Sequence, residues 1–212
     1  MSLAVEPYEL GPIATNCYVV RAARDAREAV VIDPGGDAAK LERELERLRA
    51  ACVGILITHG HWDHLGGVAD LAESTGAPVH MAATERIALE RINDFAPAEL
   101  PLRAYTPDVL LVGDETLQLA GIAFETVLVP GHSPGHLAYY ADGSLFSGDV
   151  LFAGSVGRTD LPFGDWDALV ASIRLLADRF RAETVVYPGH GPTTTLGDEL
   201  VRNPFLAELR AS

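Results

Sequence analysis

The sequence predicts an α/β fold in which two sheets pack face to face and helices cover their outer sides. Patterns typical of strands and of helices alternate along the chain without a linker or a low-complexity run, and this alternation favours sheets layered with helices. The chain has 212 residues and is 48% hydrophobic, which is enough to bury a full core. We therefore expect a single domain over residues 1–212.

The first third of the chain predicts strands, an amphipathic helix and a buried strand, in that order. Short strands are expected from residue 3 to the turn at residues 33–36, because Pro and Gly mark turns. A helix should follow, with apolar residues at helical spacing on one face. These residues are Leu41, Leu45, Leu48 and Cys52. A buried strand is predicted over residues 53–57 and a helix over residues 65–74.

The rest of the chain predicts further strands and one long helix. Three prolines interrupt residues 92–108, so we expect a long loop or short helical pieces, which could border a functional site. The predicted strands cover residues 109–112, 122–129, 137–140, 144–146 and 184–187. A helix over residues 166–180 is expected to bury Leu169, Ile173, Leu176 and Phe180.

Charge and composition disfavour several kinds of partner. The 30 acidic and 16 basic residues give a formal net charge of -14, whereas nucleic-acid binding needs clustered Lys and Arg. Residues 1–7 lack a signal-peptide pattern, and no stretch approaches the ~18 apolar residues of a membrane span. Cys17 and Cys52 lack the spacing of a disulfide framework or a thiolate site, so buried free thiols are expected. We expect a cytoplasmic protein without nucleic-acid or membrane partners.

Residues 59–64 carry the pattern H-x-H-x-D-H, which places four metal-binding side chains in six positions. A catalytic zinc binds three protein ligands and leaves a position for water, so these four side chains need further partners downstream. Three candidates, His132, Asp149 and His190, each follow an apolar run. If the corresponding strands end along one sheet edge, the seven side chains converge and fit two metals about 3.5 to 4 Å apart.

This order of motifs resembles the metallo-β-lactamase superfamily, and the resemblance extends over nearly the whole chain. Residues 148–160 and 188–195 are also similar to the short bacterial glyoxalase II-like hydrolases. The resemblance implies a four-layer αββα sandwich that holds two divalent metal ions. Zinc is the expected metal, with iron and manganese as alternatives.

The resemblance and the spacing together predict how the seven ligands divide between the two metals. The first metal is expected to bind His59, His61 and His132. The second metal is expected to bind Asp63, His64 and His190. Asp149 is expected to bridge them, because a carboxylate has two oxygens and a charge that keeps two cations close.

The predicted reaction is hydrolysis of a small thioester, S-lactoylglutathione or a related acyl thioester. The expected nucleophile is a hydroxide shared by the two metals, since bound metals lower the pKa of water to about 7. Asp63 is predicted to hold this hydroxide and later to accept its proton. A thiolate leaving group, with a parent pKa of about 8.5, departs without a strong general acid.

Arg158, which follows Asp149 closely in the chain, is the predicted substrate-binding residue. The longer glyoxalase II enzymes use a basic side chain near this point to bind glutathione, and a surface ion pair within the loop is the alternative role. Only 22 residues follow His190, whereas the longer enzymes carry a helical domain there that supplies more glutathione contacts. Specificity for glutathione therefore stays open.

Two other enzyme classes fit parts of the sequence. The persulfide dioxygenases share the fold and a Gly-Arg-Thr-Asp stretch, and would bind one iron through His59, His132 and Asp149. Their last motif reads Pro-Ala-His-Asp-Tyr, whereas residues 188–192 read Pro-Gly-His-Gly-Pro, which favours the hydrolase. A serine-hydrolase elbow at residues 131–135 is disfavoured, because Pro134 lacks the N–H that the oxyanion hole needs.

Three further polar residues lie near these motifs and are not predicted ligands. His80, in a predicted strand, is expected to be structural. His136 could support a metal ligand by contacting it. Asp33 could either cap the turn that it begins or orient a metal-bound histidine.

Overall fold

The computed structural model describes residues 3–210, which contain two six-stranded sheets. The first sheet consists, in spatial order, of β1 (Ala4–Leu10), β2 (Thr15–Arg21), β3 (Glu28–Ile32), β4 (Ala51–Leu56), β5 (Val79–Ala82) and β6 (Val109–Leu111). The second consists, in spatial order, of β7 (Thr116–Leu119), β8 (Ile122–Leu128), β9 (Leu137–Ala141), β10 (Ser144–Gly148), β13 (Val185–Pro188) and β14 (Thr194–Thr195). A separate two-stranded ladder pairs β11 (Leu151–Phe152) with β12 (Ser155–Val156).

Six α-helices connect these strands within the described residues. They are α1 (Ala38–Leu48), α2 (Trp62–Leu65), α3 (Val68–Thr75), α4 (Arg86–Glu90), α5 (Trp166–Arg179) and α6 (Leu196–Arg202). Short 3-10 turns cover Ala83–Glu85, Ile92–Asp94 and Pro204–Arg210.

Three hydrophobic clusters separate four layers. The first cluster joins α1 and α3 to the first sheet and includes Val31 of β3. The second lies between the two sheets and includes Val30 of β3 and Phe124 of β8. The third joins the second sheet to α5 and α6. Because successive side chains of a strand point to opposite faces, β3 contributes to two clusters, and the predicted αββα sandwich is confirmed.

The parallel pairs in each sheet determine where the loops lie. Strands β3, β4, β5 and β6 run parallel to one another, and β10 runs parallel to β13. Parallel neighbours need a crossover connection, which α1 supplies between β3 and β4, and α2 and α3 supply between β4 and β5. The residues that directly follow β4 and β10 therefore form loops at the strand ends, and such loops can carry functional side chains.

The helix predicted after residue 36 is shorter than expected. It ends at Leu48, because Arg49 adopts the left-handed conformation with φ 53°, and β4 begins at Ala51. Cys52 was predicted on this helix, but it lies in β4 and is buried there. The helical spacing of Cys52 was thus coincidental, since a buried residue in the next strand can continue the apolar pattern.

Other elements agree with the predictions or are shorter. The helix predicted over residues 65–74 is divided into α2 and α3 around Gly66 and Gly67. The predictions did not include β7, β11, β12, β14, α4 and α6, each of which has seven residues or fewer. Such short elements contain too few residues to establish a hydrophobic period.

The segment over residues 92–108 is a 3-10 turn followed by a long irregular loop, as predicted. Its Leu102 packs against the first hydrophobic cluster, and its Arg103 pairs with Asp70 and Glu73 of α3. A β-carbon on Gly66, directly after α2, would lie 3.5 Å from the Leu102 side chain. The loop therefore borders the helix that carries part of the H-x-H-x-D-H motif.

Cys17 and Cys52 are both buried and free, as predicted. Between residues 3 and 210, none of the helices combines the length and the apolar character needed to cross a membrane.

Candidate metal centre

The seven predicted ligands converge at the ends of four strands. Residues 59–64 follow β4, and the three later ligands follow β8, β10 and β13. Because β4 belongs to the first sheet and the other strands to the second, the prediction that one sheet edge carries all the ligands was wrong. The side chains meet because the two packed sheets present these strand ends on the same side of the sandwich.

His59, His61 and His132 form the first group of side chains. Nδ1 of His61 lies 3.0 Å from Nε2 of His59 and 2.9 Å from Nε2 of His132. His59 and His132 are buried, and His61 is partly exposed. Three imidazole nitrogens thus point at one position that opens toward solvent beside His61.

Asp63, His64 and His190 form the second group. Oδ2 of Asp63 lies 3.3 Å from Nε2 of His64 and 3.3 Å from Nε2 of His190. The same oxygen accepts a hydrogen bond from Oγ1 of Thr15 at 2.7 Å. Asp63 and His64 are buried, whereas 30% of the His190 side chain is exposed. The second group therefore opens to solvent at His190.

Asp149 lies between the two groups. Its Oδ1 is 3.4 Å from Nε2 of His64. Its Oδ2 is 3.5 Å from Nε2 of His132 and 3.6 Å from Nε2 of His190. One carboxylate consequently faces a histidine of the first group and both histidines of the second.

The protonation pattern of these rings fits a metal centre. Nδ1 of His132 donates to the carbonyl of Arg158 at 2.7 Å, and Nδ1 of His64 donates to Asp33 at 2.9 Å. When such a ring is neutral, its single proton lies on Nδ1 and its Nε2 presents a lone pair to the cluster. Within residues 3–210, His64 Nε2 and Asp149 Oδ1 are buried without a hydrogen-bond partner. Convergent lone pairs of this kind suit a divalent cation.

Burial and charge shift the pKa values of the cluster. Burial, reinforced by the neighbouring imidazoles, lowers the pKa of His59, and burial together with His132 lowers the pKa of His61 to about 4. Burial opposes ionisation of Asp63, but His64 and hydrogen bonds from His190 and Thr15 lower its pKa to about 2. His59 and His61 are thus held as neutral imidazoles and Asp63 as a carboxylate, the forms that bind metals. Neighbouring carboxylates, by contrast, raise the pKa of His64 and of His190 against the effect of burial.

The model of the metallo-beta-lactamase superfamily matches residues 10–190 of the chain. The chain belongs to this superfamily. Its members are metal-dependent enzymes that are generally hydrolytic, and the His and Asp cluster corresponds to a metal-binding site.

Three similar proteins illustrate the relationship. Hydroxyacylglutathione hydrolase GloC of Haemophilus influenzae is 37% identical over 197 residues, which cover 90% of this chain and 92% of GloC. The crystal structure of BLEG-1 B3 metallo-beta-lactamase has a TM-score of 0.90 and 40% identity, covering 96% of this chain and 100% of BLEG-1. TTHA1623, solved in a di-iron-bound form, has a TM-score of 0.83 and 40% identity, covering 95% of this chain and 100% of TTHA1623.

In this metallo-β-lactamase superfamily protein, Asp33 contacts the ligand loop rather than only its own turn. Its Oδ1 accepts the backbone N–H of Thr58 at 2.8 Å, and its Oδ2 accepts Oγ1 of Thr58 at 2.7 Å and Nδ1 of His64 at 2.9 Å. Thr58 Oγ1 also lies 3.0 Å from Nδ1 of His59. Of the two roles that the sequence left open, the structure supports orientation of a cluster histidine.

Asn16 is a site residue that the sequence predictions did not include. Its side-chain amide donates to the carbonyls of Pro188 at 3.0 Å and Gly191 at 2.8 Å, on either side of His190. Tyr18 also donates to the Pro188 carbonyl, at 2.6 Å. The only sequence signal for Asn16 is a polar residue that begins a strongly apolar strand.

His136, His80 and Ser133 differ in how they relate to the cluster. His136 stacks on His59 with ring centroids 4.7 Å apart, and its Nε2 accepts the N–H of Asp149 at 3.0 Å. His80 is buried in β5, donates to the carbonyl of Pro78 at 3.2 Å and is absent from the groups that could hold a metal. Ser133 is buried, and within residues 3–210 its hydroxyl has no hydrogen-bond partner, so no base activates it.

The Arg158 loop reaches the cluster through its backbone. Its carbonyl contacts His132 as described, but its guanidinium donates to both carboxylate oxygens of Asp160, at 2.7 Å each. Both side chains of this pair are exposed. The same loop carries Phe163, which is 80% exposed and has φ 70°, and it closes where the N–H of Asp165 donates to the Gly131 carbonyl at 2.7 Å.

A groove of about 590 Å³ runs beside the loop that follows His190. Its walls include Tyr8, Tyr18, Lys40, Gly191 and Pro192. The groove has the size of a small-molecule site. Two of its lining residues, Gly191 and Pro192, directly follow His190, the exposed member of the second group.

Proposed function

We propose that this protein is a dinuclear metal-dependent hydrolase of a small thioester, of the glyoxalase II type. The observation that carries the dinuclear part is the position of Asp149, which faces His132 of the first group and His64 and His190 of the second. The thioester part is supported by the identity with hydroxyacylglutathione hydrolase GloC, which extends over 90% of this chain. S-lactoylglutathione, or a related acyl thioester, is the proposed substrate.

The donor atoms present suit two divalent cations. One cation would be held by His59, His61 and His132. The other would be held by Asp63, His64 and His190, with Asp149 shared between the two. Imidazole and carboxylate donors bind both zinc and iron. Zinc is the proposed metal. Iron is the alternative, because TTHA1623 has a di-iron-bound form. When bound, such cations lower the pKa of a shared water and withdraw charge from a substrate carbonyl.

The side chains around the cluster would orient the metal ligands and assist deprotonation of the attacking water. Asp33 directs Nε2 of His64 into the site by accepting the proton on Nδ1. Thr15 donates to Oδ2 of Asp63 and restricts the rotation of this carboxylate. The pKa of Asp63 is lowered to about 2, so its carboxylate is ionised and would accept a hydrogen bond from the attacking water, whose proton would pass on to the more basic departing thiolate.

A thioester is the ester class that this site suits best. Its thiolate leaves with a parent pKa of about 8.5, so departure requires no strong general acid among the surrounding side chains. An anionic thiol component could be bound by Arg158, whose loop touches His132. For this role the guanidinium would have to exchange its bond to Asp160 for one to the substrate.

Three activity assays and a metal analysis on the same purified protein test the proposal. We would measure hydrolysis of S-lactoylglutathione, oxygen uptake with glutathione persulfide and hydrolysis of a cephalosporin, after loading with zinc or with iron. The expected result is about two metals per chain, thioester hydrolysis and no oxygen uptake. The cephalosporin arm is included because BLEG-1 is 40% identical to this chain.

The other outcomes assign the protein elsewhere. One iron per chain together with oxygen uptake on the persulfide would identify a dioxygenase that uses His59, His132 and Asp149. Efficient cephalosporin hydrolysis without thioester hydrolysis would identify a β-lactamase. Either result would overturn the proposed function.

A further inference from the structure

Glu85 is a buried carboxylate that is bonded to two backbone segments of the metal centre. It ends the 3-10 turn Ala83–Glu85, directly after β5, and is 7% exposed. Its Oε2 accepts the N–H of Gly60 at 3.0 Å, and its Oε1 accepts the N–H of Gly135 at 2.7 Å. No ion pair joins Glu85 to a Lys, Arg or His side chain in the part of the chain that the structure describes.

The two glycines lie in the loops that supply the first group of histidines. Gly60 stands between His59 and His61, and Gly135 lies in the turn that follows His132. Glu85 therefore joins, through one side chain, the two loops that carry all three nitrogen ligands of the first group. A carboxylate that accepts two backbone N–H groups in a buried place has a single orientation, because each oxygen is restrained.

Both glycines are required for this close approach. A β-carbon on Gly60 would lie 2.5 Å from Oε2 of Glu85 and 2.7 Å from the β-carbon of Ala88. A β-carbon on Gly135 would lie 2.0 Å from Oγ1 of Thr84 and 2.8 Å from Cγ of Glu85. The turn that carries Glu85 is thus packed directly against both ligand loops.

The charge of Glu85 also needs an explanation. An ionised carboxylate in a buried place is costly unless opposite charge or hydrogen bonds compensate it. Two backbone N–H groups supply part of this compensation. The remainder would come from the positive charge of a metal held by His59, His61 and His132, because the two loops bonded to Glu85 carry these three ligands.

We propose that Glu85 is the positioning residue of the first metal site. It sets the distance between the loop of His59 and His61 and the loop of His132, and its charge favours a cation between them. This inference rests on the metal centre of the proposed function and is independent of the substrate. Glu85 touches no candidate ligand side chain in its hydrogen bonds, so it acts through the backbone.

The test compares Glu85→Gln with Glu199→Gln. Glutamine keeps the shape, but it removes the charge and turns an NH₂ group toward one of the two N–H donors. Glu199 is a matched control, since it is 5% exposed and accepts bonds from the N–H of Gly154 at 2.8 Å and Oγ1 of Thr194 at 2.6 Å. Glu199 Oε2 also accepts a bond from Nδ2 of Asn203 at 2.9 Å, and none of these three partners is a candidate ligand.

Each protein would be prepared without metal and titrated with Co²⁺, following its absorption bands, with dissociation constants from competition with a chelator. For Glu85→Gln we expect one of the two dissociation constants to rise by about 10- to 100-fold and the absorption bands to change. Glu199→Gln should bind Co²⁺ like the wild type. Thermal unfolding of the metal-free proteins records the purely structural cost of each substitution.

Wild-type affinity and spectrum in a folded Glu85→Gln protein would overturn the inference, as would an equal loss in Glu199→Gln. If Glu85→Gln does not fold, Glu85→Asp is measured in the same way, because the shorter side chain keeps the charge but cannot reach both N–H groups. A wild-type protein that binds metal without hydrolysing thioesters would contradict the proposed function and leave this comparison valid. A wild-type protein that binds no metal would contradict both.

Discussion

Oδ2 of Asp33 lies 2.9 Å from Nδ1 of His64, and this contact determines which nitrogen of His64 faces the cluster. With the proton held on Nδ1, Nε2 points toward Asp63 at 3.3 Å and Asp149 at 3.4 Å. Such outer contacts commonly set the tautomer of a metal-binding histidine. The three carboxylates also raise the pKa of His64 against the effect of its burial, which reflects a negative potential that favours a cation.

Replacing Asp33 should therefore weaken the second metal site. For Asp33→Ala we expect the metal dissociation constant of that site to rise by about 10- to 100-fold. The free energy of unfolding should fall as well, by about 1–3 kcal/mol, because the buried N–H of Thr58 loses its acceptor. Chelator competition and urea unfolding measure the two effects. Asp25→Ala, at an exposed position, is the control, and full metal affinity in Asp33→Ala would refute the orienting role.

Asp149→Ala should lose metal, whereas His80→Ala should not. Asp149 faces both groups of histidines, while His80 lies in β5 and its Nδ1 contacts the carbonyl of Pro78. Elemental analysis of the two purified variants gives the answer. Unchanged metal content in Asp149→Ala would contradict its assignment as the bridging ligand.

His190→Ala should retain about one metal per chain and lose most of its activity. The second group would keep Asp63, His64 and its share of Asp149, and the loss of one of these donors should weaken the site. We expect kcat for thioester hydrolysis to fall by at least ~10²-fold, a modest part of what a metal contributes to catalysis. Metal analysis and steady-state kinetics on the same sample would show this. Full hydrolysis by a protein with one metal would exclude the dinuclear mechanism.

Arg158 and Asp160 should affect substrate binding in opposite directions. If the guanidinium binds an anionic part of the substrate, Arg158→Ala raises KM more than it lowers kcat, since a remote contact contributes mostly uniform binding. Asp160→Asn frees the guanidinium from its pair and should lower KM by about two- to fivefold, the range of an exposed ion pair.

Kinetics with S-lactoylglutathione and with a thioester that lacks the anionic groups would show whether Arg158 binds the anionic part of the substrate. The uncharged substrate should show little change in either variant. Equal KM values for both variants and the wild type would make Arg158 a surface residue paired only with Asp160.

Phe163 has a strained backbone conformation that should lower the free energy of unfolding. Its φ is 70° and its side chain is 80% exposed, so replacing the ring loses little buried surface. A β-carbon at positive φ costs about 1–2 kcal/mol, which glycine avoids. We therefore expect Phe163→Gly to be more stable than Phe163→Ala by about 1 kcal/mol in urea unfolding.

Leu175 of α5 supplies the matched control for Phe163. It is 44% exposed but lies inside a helix, where glycine is about 1 kcal/mol less favourable than alanine. The order of the glycine and alanine variants should thus be reversed at this position. The same order at both positions would show that the backbone at Phe163 is unstrained.

The sequence by itself determined which side chains form the candidate site. Histidine and carboxylate ligands must belong to a few residue types, and residues 59–64 place four of them within six positions. The later ligands stand directly after apolar runs, because strand ends carry the loops of such a sandwich. Local pattern predicted two packed sheets covered by helices, whereas the resemblance to the superfamily implied the αββα sandwich and the full set of seven ligands.

Only the tertiary structure decided how these side chains are held. Asn16 donates to carbonyls 172 and 175 residues away, and Glu85 joins loops that lie 25 and 50 residues from it. Both act on backbone groups, which every residue possesses, so no pattern of side chains in the sequence marks their partners. The same reason explains why the ligands come from both sheets, since the packing of one sheet on the other depends on contacts far apart in the chain.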